Sequence, residues 1–530
     1  MEKNDTPIRK YPVGIQTFSR IIEENYVYVD KTDLVWKMAH ASPFVFLSRP
    51  RRFGKSLLSS TLHSYFAGEK ALFEGLKIME MESEWKSYPV LHFDLSLTKN
   101  RETPGEFKRA LCLQMENLQK VYGKNDSEIS PGEILKGLIE RAYGQTGKKV
   151  VVILDEYDAP LLDVLHEEET LPEFRRVLQE FYQPLKALES MIQFCFITGI
   201  TKFSQLSIFS TINNLRNVSM EPAFSAICGI TKNELETVLK PDIQILADAN
   251  GWTTEKTLEK LKLQYDGYHF TEELEDIFNP FSLMNAFASQ SLRNYWFTSG
   301  TPSFLFQQMR KFNTNILELE KKEVSASQFD MPTEAMNSAL PLLYQSGYLT
   351  IKNYDPDSQL YTLDFPNAEV KVGFLESFMV SMMNISNDIQ GLAGRFYVYL
   401  MKHDLDGAMR LLQSFFASIP YLDHGNKDLD ALTRFEAFYE VILYVVFSVF
   451  NSRTFTQVKN ALGRTDVVVF MSDATYVMEL KVGGTAQEAL DQINTNNYAV
   501  PYQGTGLPVV KIGIAFSREK RTVTEWIIEK

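Results

Sequence analysis

At 530 residues, 45% hydrophobic and 23% charged, the chain is too long for one core and too apolar for a disordered or fibrous protein, so roughly two to four globular domains are expected. A net charge of −13 excludes a generally basic coat, and any nucleic-acid contact must come from a local patch. Three widely spaced cysteines, Cys112, Cys195 and Cys228, exclude a disulfide framework and a CxxC zinc site. A reducing cytoplasm is the expected compartment. No apolar signal core follows the first residues, and the strongest apolar run, Phe435 to Phe450, carries Glu436 and Glu440, so it reads as a buried amphipathic helix and no membrane span is expected.

In chain order, four short apolar runs read as buried strands: Phe44 to Leu47, Val90 to Phe93, Val150 to Leu154 and Ile192 to Ile197. Helical patterns over Leu57 to Phe66, Pro104 to Val121 and Phe174 to Ser190 separate them, and this alternation predicts an α/β fold with a parallel sheet wrapped on both faces. Residues 1–230 form that unit. From Thr231 to Tyr265, Leu235, Val238, Leu239, Ile243 and Leu246 recur at helical spacing and predict a helical lid. A connector follows to about residue 385, with Tyr348 to Ile351 pairing with Leu360 to Asp364 across an Asn-Tyr-Asp-Pro-Asp loop. Residues 386–530 read as a separate α/β unit, with helices first. Strands follow at Thr454 to Val458, Asp466 to Phe470, Tyr476 to Lys481 and Val509 to Phe516, and a helix from Ala486 to Asn496 precedes the last of these.

The most informative local feature lies between the first strand and the first helix. Arg49-Pro50-Arg51-Arg52-Phe53-Gly54-Lys55-Ser56 ends as a phosphate-binding loop does: helix N-terminal N–H groups, a lysine for the β- and γ-phosphates, and a hydroxyl for Mg²⁺. Arg49 stands where the standard pattern has its first glycine. An Arg-rich turn without a ligand is the alternative. A matching second half favours the nucleotide reading: Val150 to Leu154 runs straight into Asp155 and Glu156, where Asp155 holds Mg²⁺ through water and Glu156 polarises the attacking water. The alternative for that pair is a solvated strand end. Thr198, closing the fourth strand, either senses the γ-phosphate or caps a turn. Arg51, Arg52 and Arg216 are candidates for phosphate charge or ordinary surface cations.

Near the C-terminus, Asp466 opens one strand while Glu479 and Lys481 share a face at the end of the next, because side chains repeat every two residues. A hairpin around Met471 to Ala474 brings Asp466 to them. Converging carboxylates repel unless something intervenes, and a divalent metal resolves the repulsion. Asp466 and Glu479 then hold Mg²⁺ while Lys481 orients or deprotonates a water, which is the chemistry of phosphodiester hydrolysis. The alternative is a surface salt bridge. Glu436 adds a carboxylate or is simply a solvated helix residue, and Gln492 and Tyr498 are placed to face a nucleic-acid strand.

With these residues in hand, the chain resembles bacterial proteins that join an AAA-ATPase-like N-terminal domain to a C-terminal PD-(D/E)XK nuclease-superfamily domain. The resemblance covers nearly the whole chain. It rests on Tyr11 to Gln16, Val29 to Thr32, Ser48 to Ser56, Leu154 to Asp158, Ser207 to Leu215 and Tyr265 to Phe270. It continues through Asn279-Pro280-Phe281-Ser282, Tyr295 to Pro302, Phe365 to Val370, Gly463 to Asp466, Glu479 to Lys481 and Ala489 to Ile493. The loop from Arg49 then looks like that family's own phosphate loop. The resemblance implies ATP phosphates at Gly54, Lys55 and Ser56, Mg²⁺ and water roles at Asp155 and Glu156, nuclease roles at Asp466, Glu479 and Lys481, and the helix glutamate at Glu436.

The resulting expectation is an ATPase coupled to a Mg²⁺-dependent nuclease-like domain acting on DNA or RNA, in genome defence or mobile-element control, with oligomers allowed. Two rivals stay open. One is an NTP-dependent regulatory or binding protein with an inactive nuclease fold; the other is a chaperone-like ATPase acting on protein.

Overall fold

The computed structural model describes residues 9–202, 215–299, 303–383, 389–418, 441–442, 444–445, 448, 454–460, 463–471, 473–504, 506–517, 519–520 and 522–530. Contacts divide the chain into two units, the first comprising Met1–Phe312 and Lys321–Glu369, the second Asn313–Glu320 and Val370–Lys530. Among the described residues, no helix is long and apolar enough to cross a membrane.

The first unit is built on a parallel sheet of β1 (Phe44–Ser48), β2 (Val90–Asp94), β3 (Val150–Asp155), β4 (Ile192–Gly199) and β5 (Arg216–Asn217), in the order β2-β3-β4-β1-β5. Each predicted strand is present. The near-continuous apolar runs of β1, β3 and β4 are what burial on both faces demands. Because every strand runs the same way, Ser48, Asp94 and Asp155 leave the sheet at one edge, where open α/β sheets bind ligands.

Helices Lys55–Ala67, Pro104–Tyr122, Pro131–Thr146 and Thr170–Ala187 flank this sheet. Pro131–Thr146 starts at a capping box, in which Ser130 receives the Glu133 N–H while Glu133 accepts from Ser130. Phe107 stacks on Phe174 with ring centroids 4.8 Å apart, joining Pro104–Tyr122 to Thr170–Ala187.

The stretch expected as a lid, Thr231 to Tyr265, forms helices Lys232–Thr237, Lys240–Asn250 and Thr254–Tyr265, against which helix Pro280–Ser289 packs, with β6 (Ile230–Thr231) paired to β7 (Ile277–Phe278). Leu235, Leu239, Ile243 and Leu246 are buried together with Tyr265, Leu283 and Phe287. Val238 departs from expectation and is 42% exposed, because the first helix stops at Thr237 and the next begins at Lys240, which breaks the periodicity. The segment before β1 joins this core: Arg9 and Tyr11 both bind Asp242, and Lys31 pairs with Glu234 at 2.6 Å.

The hairpin starts at Thr350, so Tyr348 and Leu349 precede it, runs on to Asp355 and gains a third strand, with β8 (Lys322–Val324), β9 (Thr350–Asp355) and β10 (Leu360–Asp364) in the order β8-β10-β9. Asn353, Tyr354 and Asp355, read as loop, are paired strand residues. The Tyr354 ring lies 4.6 Å from that of Tyr361 across the ladder, a cross-strand pair that outweighs the local turn signal.

In the second unit, helices Ile389–Met401 and Leu405–Ala417 precede a mixed sheet of β11 (Thr454–Asn460), β12 (Gly463–Phe470), β13 (Thr475–Val482), β14 (Val509–Ser517) and β15 (Thr522–Glu529), in chain order. Only β13 and β14 are parallel, bridged by helix Ala486–Thr495. β15 was not expected; its Thr-Val-Thr-Glu start lacks the apolar run that marks a buried strand, as suits a sheet edge.

Gly513 of β14 lets that helix approach. A methyl group there would sit 2.3 Å from the Ala486 carbonyl oxygen and 2.7 Å from the Leu490 nitrogen. Gly513→Ala should therefore push the helix away and accelerate amide exchange along Ala486–Thr495 by about 5- to 150-fold, equivalent to ~1–3 kcal/mol of overpacking. Unchanged protection would contradict this contact.

Candidate functional site

The phosphate loop is anchored by its first residue. Arg49 is 2% exposed; its Nη1 donates to the carbonyls of Ser48 at 2.9 Å and Ser219 at 2.8 Å, and its Nη2 to Phe224 at 3.0 Å and Ser225 at 3.5 Å. The guanidinium carbon lies 4.2 Å from the Phe270 ring centroid. Burial pushes this guanidinium down to about 10, still charged at neutral pH. Arg49 is thus a structural post whose side chain supplies contacts that a glycine lacks.

From that post the loop turns outward through Arg52, at φ 68°, and Gly54, at φ 91°. Gly54 caps helix Lys55–Ala67 in the left-handed region that glycine adopts without strain. Phe53 is buried between the rings of Tyr268 and Phe270, at centroid distances of 4.7 and 5.4 Å. Arg52 stays exposed, its guanidinium 4.5 Å from the Phe281 centroid.

Lys55 is 3% exposed, and its Nζ lies 3.3 Å from both the Pro50 carbonyl and Glu156 Oε1. Asp155 accepts the Glu156 N–H at 2.9 Å and faces the Ser56 hydroxyl. Burial, then the neighbouring Glu156 charge, pushes the Asp155 carboxyl up to about 6. For Glu156, burial opposes ionisation but Lys55, Lys99 and Arg51 together outweigh it and hold the carboxyl below its ordinary range. Glu156 also sits at φ 50°, a conformation that non-glycine residues adopt mainly where the surroundings impose it.

These groups meet at an open cleft of about 530 Å³ lined by Arg51, Arg52, Lys55, Ser56, Lys99 and Glu156, with Pro12 to Gln16 on one wall and Pro280, Phe281 and Met284 on another. The Ser56 hydroxyl and the Asp155 carboxylate are oxygen donors that suit a hard cation such as Mg²⁺, which keeps several waters, so both fit the expected metal. Among the described residues, no group of three or more His, Cys, Asp and Glu side chains is arranged as a metal cage.

Two candidates fall outside the cleft. Thr198 is fully buried and donates its hydroxyl to the Leu47 carbonyl at 2.7 Å, tying β4 to β1 instead of reaching for a phosphate. Arg216 is level with Val45, short of the carboxyl edge, and pairs with Glu221 at 2.7 Å. Lys99 was missed. The available signal was its place in the loop after β2, which in an all-parallel sheet opens on the same edge as β1 and β3.

In the second unit, β12 and β13 pair antiparallel through Val467 and Met478, which sets Asp466 opposite Glu479. The Asp466 N–H donates to Glu479 Oε2 at 3.4 Å, and the Leu480 N–H to Asp466 Oδ2 at 2.9 Å. Gln492, on the crossover helix, donates to Glu479 Oε1. Glu479 is 2% exposed. Lys481 follows two residues later on the same strand face and is partly exposed. Gln492 therefore joins the carboxylates directly. Tyr498 does not face outward: it is buried with Val468, Val477, Leu490 and Ile493, and its hydroxyl accepts from Asn496. Glu436 lies outside the described residues.

Comparison with known proteins agrees with both halves. A family model described as a predicted AAA-ATPase matches residues 12–209, and one for the PD-(D/E)XK nuclease superfamily matches residues 434–526. A protein of Azotobacter chroococcum mcd 1, called "Uncharacterized protein in vnfD 5'region", is 32% identical over 535 residues, spanning 98% of this chain and 99% of its own length. The chain belongs to this family of AAA-ATPase-like proteins with a C-terminal PD-(D/E)XK nuclease-superfamily domain. Within such a protein, Arg49 replaces a glycine for a structural reason. Arg49→Gly, which restores the standard pattern, should destabilise the first unit by about 2–4 kcal/mol, as expected on losing several charge-assisted hydrogen bonds. Equal denaturant midpoints for the variant and wild type would refute this role.

Proposed function

We propose that the first unit binds ATP with Mg²⁺ and hydrolyses it. The observation that carries this reading is the convergence of Lys55, Ser56 and Glu156 at one cleft on the carboxyl edge of a parallel sheet, with Asp155 buried beside the Ser56 hydroxyl. Lys55 and the helix N-terminus take the phosphates; Ser56 and Asp155 hold the cation, which supplies charge neutralisation there; Glu156 orients the water. Beside the loop, a pocket of about 110 Å³ lined by Val27, Val29, Ile227, Gly229, Ile230 and Met284 offers an apolar berth for the nucleoside.

Lys55→Ala should abolish ATP binding, whereas Glu156→Gln should retain binding and lower turnover about 100-fold. Because the Asp155 carboxyl is raised to about 6, it is protonated below that pH and charged above it, so Mg²⁺-dependent affinity should rise between pH 5 and pH 7. ATP affinity unaffected by Lys55→Ala, in a titration calorimeter, would sink the assignment.

For the second unit we propose Mg²⁺-dependent cleavage of DNA or RNA, with Asp466 and Glu479 supplying oxygens to the cation and Lys481 acting on the water or the developing charge. A specific feature favours the rival binding role: Glu479 is almost wholly buried, and its carboxylate is engaged by Gln492 and the Asp466 N–H. Purified protein given Mg²⁺ and single- or double-stranded substrates decides between them. Cleavage lost by at least about 100-fold in both Asp466→Asn and Lys481→Ala supports the nuclease; retention of nucleic acid without cleavage supports the binding role.

A further inference from the structure

Three stretches of the chain, Asn279 to Ser282, Tyr295 to Ser299 and Phe365 to Glu369, supply none of the phosphate- or cation-binding groups just described, although Pro280 and Phe281 line one wall of the cleft, and contacts through Glu369 join them to the phosphate loop. At their meeting point is Glu369, fully buried, whose Oε1 accepts the Trp296 N–H at 2.9 Å. The Ser282 hydroxyl and the Tyr295 N–H face the same carboxyl group.

Two of these neighbours of Glu369, Trp296 and Ser282, lead to the loop. Trp296 donates its indole Nε1–H to the Arg51 carbonyl at 3.3 Å and packs edge-on against Tyr348, with centroids 5.1 Å apart. Ser282 directly follows Phe281, the ring beneath the Arg52 guanidinium. Arg51 and Arg52 are also the turn at which the backbone goes left-handed, at Arg52, immediately before the phosphate-facing N–H groups. A turn of that kind persists only when its surroundings hold it.

We infer that Glu369 and Trp296 are positioning residues for the phosphate loop: the buried carboxylate orients Trp296, whose indole fixes the Arg51 carbonyl and hence the direction of the loop N–H groups. The inference rests on the nucleotide reading of the cleft only for its consequence, since the loop is held whether or not a nucleotide is present. Trp296 touches no reacting atom and acts through Arg51. Burial pushes the Glu369 carboxyl up to about 7, so glutamine, neutral and of the same shape, keeps the acceptor that Trp296 needs.

The test uses the full-length protein and two readouts. Amide exchange at Arg51 to Gly54, measured without nucleotide, should accelerate about 5- to 10-fold in Trp296→Phe and Glu369→Ala, while exchange in β3 stays as in wild type. Affinity for Mg²⁺–ATP should weaken about 3- to 10-fold in the same variants, the scale of one lost hydrogen bond, and Glu369→Gln should restore both readouts. Unaltered loop exchange in Trp296→Phe and Glu369→Ala overturns the inference. If the loop responds as expected but wild-type protein binds no ATP, the positioning role stands and the nucleotide reading falls. Should Glu369→Ala fail to fold, Trp296→Phe, which retains an aromatic ring, decides alone.

Discussion

The buried Arg49 guanidinium is the contact that anchors the loop from Arg49 to Ser56 and with it one side of the cleft. Removing a charged group from water is expensive, and an isolated cation at this depth would not be stable. Here the carbonyls of Ser48, Ser219, Phe224 and Ser225 surround it and the face of Phe270 closes one side. Backbone carbonyls carry partial negative charge in fixed positions, so the guanidinium keeps its proton and becomes a rivet between the end of β1 and the segment after β5. From that rivet the loop continues: Phe53 turns inward between two aromatic rings, Gly54 turns the chain into a helix, and Lys55 enters the first helical turn beside Glu156.

The two units use carboxylates differently. In the first unit, Asp155 and Glu156 are adjacent in sequence and their charges interfere, so their environments separate them: burial and its neighbour raise one, while three cations hold the other ionised. Two acids with divergent proton affinities can divide the work of holding a cation and orienting a water. In the second unit, Asp466 and Glu479 come from different strands, and backbone N–H groups together with Gln492 offset their mutual repulsion. The first arrangement leaves an open cleft lined by cations, the second a nearly closed pair.

Much of this was legible in the chain. Apolar runs that end in polar residues marked β1, β3 and β4, because a strand buried on both faces admits little else. The turn at Met471 to Ala474 and the two-residue repeat of strands placed Asp466 against Glu479 before any coordinates. Where reading by pattern failed, packing or an element boundary that the pattern does not carry was responsible. Tyr354 is strand and not loop because of Tyr361; Val238 is exposed because two helices meet there; Tyr498 is a packing residue because the crossover helix lies over the sheet.

By itself, the sequence determined the two α/β units, the phosphate loop with its acidic strand end, and the second carboxylate pair, since each follows from local periodicity or short-range spacing. Tertiary structure alone decided what Arg49 does, that Thr198 is turned inward, and that Lys99 and Glu156 share a cleft. The reason is physical: the carbonyls of Ser219, Phe224 and Ser225 that hold Arg49 lie 170 to 176 residues away along the chain, and only folding brings them within hydrogen-bond distance.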